Sequence, residues 1–141
     1  LDKIGGGLAY PNVENVVFHL PLLSPFAIFA TWTSQNNMEI IFNEKYLQEM
    51  YVTGHTDKTH RYQPQVVRKY IRVIAVMMET SNVQGLMRYN SLNYEKQKGD
   101  KAGLSSVRVN DQYRIEFEER TKEGETIATI CNITDLSNHY K

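Results

Sequence analysis

The chain has 141 residues, 41% apolar and 23% charged, with 16 basic residues balanced by 16 acidic ones. That composition suits one globular domain with one core and excludes a disordered chain. A formal net charge of zero excludes recognition of nucleic acid by bulk electrostatics, so any polyanion site must be built locally.

Residues 1–37 differ in texture from the rest. Pro21 and Pro25 interrupt the apolar run from Val16 to Ala30, so it makes a poor helix, and it is short for a membrane span. The expectation is that Met38 is the natural start, residues 38–141 form the working domain, and 1–37 is an N-terminal extension that need not be native. A genuine extension and a secretion signal ending near Ala30, with only Lys3 as its cationic start, stay open as alternatives.

From Met38 the elements are legible in order. Residues 38–43 read as a first strand. Asn43 is placed to cap a helix carrying Tyr46, Leu47, Met50 and Tyr51 on one side, with Gly54 as its stop. Residues 55–62 are polar and read as a loop, in which His55 and His60 are expected to have no role. Pro64 suits the first turn of a second helix. Along it Val67, Tyr70, Ile71, Ile74, Met77 and Met78 recur at helical spacing and form its core face. Arg68, Lys69 and Arg72 are expected in solvent. Residues 85–103 show no long period and read as a polar loop. Residues 104–110 and 113–119 read as two strands around an Asn110-Asp111-Gln112 turn. Residues 126–134 are apolar on both faces and read as a central strand, followed by a tail from Asp135.

The order is strand, two helices, then three strands. The expected fold class is therefore α+β, a small antiparallel-rich sheet with two N-terminal helices packed on one face and the other face open for a site. Cys131, the one cysteine, cannot form an internal disulfide or a multi-cysteine metal site. Its apolar setting predicts a buried strand residue, and such usage fits a reducing, cytoplasmic compartment.

Strand parity singles out two arginines. Arg108 and Arg114 oppose the apolar positions 107, 109, 113, 115 and 117, so each strand projects one guanidinium away from the core, on either side of a short turn. A solvated, salt-laced face and a phosphate clamp both fit that pattern. The acids at 116, 118, 119, 123 and 125 read as a surface charge run, and no paired-carboxylate metal set stands out.

The segment Lys98-Gly99-Asp100 followed by Ser106-Val107-Arg108-Val109-Asn110-Asp111-Gln112-Tyr113-Arg114-Ile115, with Asn138-His139-Tyr140 near the end, resembles the HigB-like toxins of the RelE/ParE superfamily. The likeness covers residues 38–141. It implies the RelE-like version of the fold above, and a ribosome-dependent endoribonuclease that cleaves messenger RNA in the decoding site. The implied partners are the 70S ribosome, messenger RNA and a helix-turn-helix antitoxin of the HigA type, with no membrane. Such chemistry uses RNA's own 2′-hydroxyl as nucleophile and needs no metal or other cofactor.

On that resemblance Lys98, Arg108 and Arg114 position the phosphate and stabilise its charge. Lys96 and Lys101 join them as RNA-binding cations, His139 is the candidate acid or base, and Tyr140 and Asp135 are supporting candidates. The sequence departs from the pattern in two places. Glu95, preceded by Tyr94, stands where such toxins carry a histidine, so either is a candidate substitute. The terminal Asp-Tyr-His cluster is replaced by Asp135, then His139-Tyr140. A gyrase-inhibiting toxin of the ParE type and a non-catalytic antitoxin-binding module remain the alternatives.

Overall fold

A computed structural model of the chain describes the backbone at residues 17–18 and the chain over residues 37–138. The proline-interrupted apolar run, apart from the 17–18 backbone, lies outside the described residues, as do His139 and Tyr140. Six strands form one sheet: β1 (Val17–Phe18), β2 (Glu39–Phe42), β3 (Glu95–Lys96), β4 (Leu104–Arg108), β5 (Tyr113–Arg120) and β6 (Ile130–Asn138), in the order β1-β2-β6-β5-β4-β3. The helices are α1 (Lys45–Thr53), α2 (Pro64–Glu79) and a single turn, α3 (Val83–Leu86). The fold is α+β. Its sheet is mixed, because β2 runs parallel to β6 while the other neighbours are antiparallel. A parallel pair needs a long crossover, and residues 43–129 supply it.

The core explains the element types. Ile40 and Phe42 of β2, Leu47 and Met50 of α1, Tyr70, Ile74 and Met77 of α2, Ile115 and Phe117 of β5, and Cys131 and Ile133 of β6 are all essentially inaccessible. They form one continuous cluster. The Tyr70 hydroxyl donates to the Leu47 carbonyl at 2.8 Å, so a buried polar tip is satisfied while it pins α2 to α1. Pro64 sits in the first turn of α2 as expected, and Gly54 ends α1 with a left-handed φ of 76°, a conformation open to glycine at little cost.

Three readings need correction. The N-cap of α1 is Glu44, one residue later than expected and without a side-chain cap. Asn43 instead donates its N–H to the Ile133 carbonyl, which extends β2 against β6. The 85–103 stretch is not one loop: it holds the end of α3, 3-10 turns at Asn90–Leu92 and Gly99–Lys101, and β3. Elements that short carry no readable period.

The last strand is also shifted, to Ile130–Asn138. Ala128 spends its carbonyl elsewhere, accepting from Val83 N–H, and Thr129 leads into the strand, its carbonyl accepting from Glu39 N–H and its N–H donating to the Arg120 carbonyl. At the other end, Asp135 to Asn138 continue the strand opposite Glu116 to Tyr113, past a register shift between Glu116 and Phe117. Such a bulge re-aims the side chains that follow it.

Cys131 is buried at the centre of β6, as expected, and burial, then the Glu119 carboxylate, pushes its thiol far above the usual range. Only the thiolate reacts. Native protein is therefore expected to resist a thiol reagent at pH 8 while the denatured chain reacts with one equivalent. Rapid labelling of the native form would contradict that burial.

Candidate active site

The hairpin that carries the two arginines is built by Asn110. Its side-chain oxygen accepts the N–H groups of Gln112 (2.8 Å) and Tyr113 (2.7 Å), a local turn that fixes the register. Arg108 and Arg114 then fall directly opposite each other. Like charges facing across a strand pair destabilise it. Arg108 is partly offset by an ion pair with Asp111. Arg114 is less satisfied: its Nη1 is enclosed and has no hydrogen-bond partner among the described residues. An enclosed donor without an acceptor costs about 1–3 kcal/mol.

The same face carries a second row. Register aligns Glu95, Ser106, Glu116 and Asp135 across four strands. Glu116, expected on the surface, is only 6% exposed. Its carboxylate pairs with Lys101 and accepts from Ser137 Oγ at 2.9 Å. The reading of a solvated charge run fails there because the 3-10 turn at Gly99–Lys101 folds over the strand. Glu119 departs from that reading too. From the opposite, core-side face it holds the Tyr94 hydroxyl, Ser105 Oγ (2.5 Å) and Lys96 (3.8 Å). Burial, then the hydrogen bond to Glu119, pushes Tyr94 up to about 12.

The candidates thus divide. Glu95, Arg108, Arg114, Lys101 through Glu116, and Asp135 share one face by register. Tyr94 and Lys96 belong to the other. Lys98 is exposed at the entry to the 3-10 turn. Asp135 does not end its strand, which runs on to Asn138; it accepts the Tyr46 hydroxyl at 3.0 Å, while His139, the histidine it is expected to support, lies outside the described residues.

Beside this face opens a cleft of about 630 Å³, lined by Thr59 to Tyr62 of the α1–α2 loop, by Lys101 and Tyr113, and by Asp135 to Asn138 of β6. It forms because β2 pairs only with the first part of β6, which leaves the second part to the loop. Tyr62 closes the seam by donating to the Leu136 carbonyl at 3.0 Å. Burial raises the pKa of both Tyr46 and Tyr62, and the Asp135 carboxylate adds to it, taking Tyr62 to about 12. Both therefore act as neutral donors at pH 7.

Arg108 also borders a smaller cleft of about 240 Å³ with Lys69 and Arg72 of α2 and the exposed Tyr89. Lys69 and Arg72, expected merely in solvent, thus share a groove with the hairpin arginine. Among the described residues no group of three or more His, Cys, Asp or Glu is placed to hold a metal, and no helix is long and apolar enough to cross a membrane.

A model of the HigB-like toxins, described as RelE-like toxin of type II toxin-antitoxin system HigB, matches residues 40–130. The chain belongs to that family. Among solved structures it is similar to the YoeB/ParE toxin from Agrobacterium tumefaciens, at 17% identity and a TM-score of 0.42, over 72% of this chain and 98% of that one. No curated protein matches it. The family match takes in the arginine hairpin and the α1–α2 loop of this HigB-like toxin. The β6 wall of the larger cleft, Asp135 to Asn138, lies beyond the matched residues.

The sequence leaves several residues of the cleft, and Tyr46 behind it, without an assigned role. Tyr46 and Tyr62 were visible only as helix and loop aromatics, and Ser137 as part of a tail. His60 carries one signal in the sequence, an aspartate three residues earlier, at a spacing from which a carboxylate caps a turn.

Proposed function

We propose that this toxin is a ribosome-dependent endoribonuclease that cleaves translated messenger RNA by attack of the 2′-hydroxyl on the adjacent phosphate, with no metal ion in the step. A helix-turn-helix antitoxin of the HigA type neutralises it. The working domain is residues 38–141.

One observation carries this reading: two arginines opposed across a hairpin, one of them with an enclosed, unpartnered nitrogen. A sheet gains no stability from that arrangement. A phosphodiester supplies what it lacks, since guanidinium groups bind phosphate oxygens through paired N–H donors. As the 2′-oxygen attacks, charge gathers on the non-bridging oxygens, and donors fixed beforehand stabilise it without reorganising.

Arg108 and Arg114 are the charge-stabilising pair. Lys98 and Lys101 steer the backbone, and Lys69, Arg72 and Tyr89 continue the path as a basic groove with a ring for a base to stack on. His139 follows cleft-lining Asn138 by one peptide bond and serves as acid or base, a task suited to a group that titrates near neutrality. Tyr140 stacks on a base or donates a proton. Glu95 orients from the edge of the sheet, and Asp135 acts through Tyr46. Tyr94 and Lys96 hold the β3 edge to Glu119.

Sequencing of RNA 5′ ends after brief induction tests the reading. Cuts confined to translated frames are expected. Equal cutting of untranslated RNA contradicts the ribosome requirement, and inhibition of DNA gyrase without RNA cuts contradicts the nuclease.

A further inference from the structure

The larger cleft contains a histidine that is held on two sides. Asp57 Oδ1 accepts the backbone N–H groups of Thr59 (2.9 Å) and His60 (2.6 Å), and both its oxygens lie 3.1 Å from His60 Nδ1. The His60 backbone bond, then the His60 ring, hold the Asp57 carboxyl below its ordinary value, so it is ionised at neutral pH. An ionised carboxylate accepts and does not donate, which fixes the proton on Nδ1 and leaves the Nε2 lone pair outward. The ring plane is fixed as well: it lies flat on Tyr46, with centroids 3.6 Å apart and 3° between planes. Tyr46 is itself tethered to Asp135.

This arrangement has the parts of an oriented base. A third group fixes the tautomer, a stacked ring fixes the direction, and His60 shares its cleft with Arg61, Lys101 and Ser137. Ser137 is the strand partner of Arg114, so the cleft meets the arginine face.

We propose that His60, oriented by Asp57 and Tyr46, is the general base of this toxin, accepting the 2′-hydroxyl proton on Nε2. The inference rests on the nuclease reading above. In the step, the O2′–H bond breaks and its proton goes to His60. O2′ forms a bond to phosphorus and the P–O5′ bond breaks. The leaving 5′-oxygen takes a proton from solvent water, to which protonated His60 returns the one it accepted. The products are a 2′,3′-cyclic phosphate and a 5′-hydroxyl, and no oxidant or further reactant is consumed.

The test compares wild type, His60→Ala, His60→Gln and Asp57→Asn on messenger RNA bound to programmed 70S ribosomes. Both His60 variants are expected to lower kcat by about 100-fold or more, with KM and ribosome binding unchanged. Added imidazole is expected to restore part of the His60→Ala rate, which a folding defect would not allow. Asp57→Asn is expected to fall between wild type and the His60 variants. Independently, ¹⁵N NMR of the wild-type protein is expected to show the proton of neutral His60 on Nδ1. Cleavage by wild type with His60→Ala within about threefold of it, or an Nε2-protonated ring, overturns the role of His60 and leaves the nuclease reading standing. Absence of any cleavage by wild type overturns both.

Discussion

Arg114→Ala is expected to lower the cleavage rate of ribosome-bound messenger RNA by about 100-fold or more while folding stability stays within about 1 kcal/mol of wild type or rises. The two halves of that expectation have one cause. Arg114 faces Arg108 across the hairpin, and its Nη1 is enclosed without a partner, so in the free protein the side chain is a burden. Removing it relieves the like-charge contact and the unmet donor together. With a phosphate present the same donor becomes a fixed stabiliser of developing charge. Arg114→Lys is expected to recover only part of the rate, because an ammonium cannot make the paired contact that a planar guanidinium makes. The check is a urea titration alongside single-turnover cleavage. Loss of activity with a parallel loss of stability would assign Arg114 to the fold instead.

Phe117→Ala is expected to destabilise the protein by about 3–5 kcal/mol, a large share of the roughly 5–15 kcal/mol that holds a domain together. Phe117 is fully buried in the middle of β5, opposite Ile133 and beside the register shift at Glu116. Its ring also packs on Tyr94 at 6.4 Å. Truncation opens a cavity where β4, β5 and β6 meet, and close-packed neighbours relax into it only in part. The bulge next to it aims Asp135 and Ser137 at the cleft, so residual activity is expected to fall as well. Chemical denaturation followed by circular dichroism reads the first effect. A change under 1 kcal/mol would mean that this part of the sheet collapses far more easily than its packing implies.

The parts of the fold readable in the sequence were those with a long period. The repeat from Val67 to Met77 located α2, and alternation from Tyr113 to Phe117 located β5 and its buried face. Short elements were hidden for the same reason: β3 spans Glu95–Lys96 and α3 only Val83–Leu86, too few residues for a period to register. Burial of Glu116 was equally hidden. Alternation placed it on the arginine face, but the cover comes from Lys101, 15 residues away in a 3-10 turn.

The candidate site split along the same line. Parity was enough to put Arg108 and Arg114 side by side. Placing Tyr94 and Lys96 on the other face required knowing that β3 pairs with β4 in the register Glu95↔Ser106. His60 reads as a loop histidine without a role because its partners are a turn carboxylate and a tyrosine from α1, a pairing that no sequence period reveals.

In the proposed mechanism the arginine face and its cleft direct attack of a 2′-hydroxyl on the adjacent phosphate of a ribosome-bound message. The most direct measurement uses two synthetic messenger RNAs on programmed 70S ribosomes, identical except that one lacks the 2′-hydroxyl at the nucleotide preceding the cut. Wild-type toxin is expected to cleave the all-ribose message, leaving a 2′,3′-cyclic phosphate, and to leave the deoxy-substituted message intact at that position. Equal cleavage of both messages, or of neither, would contradict it.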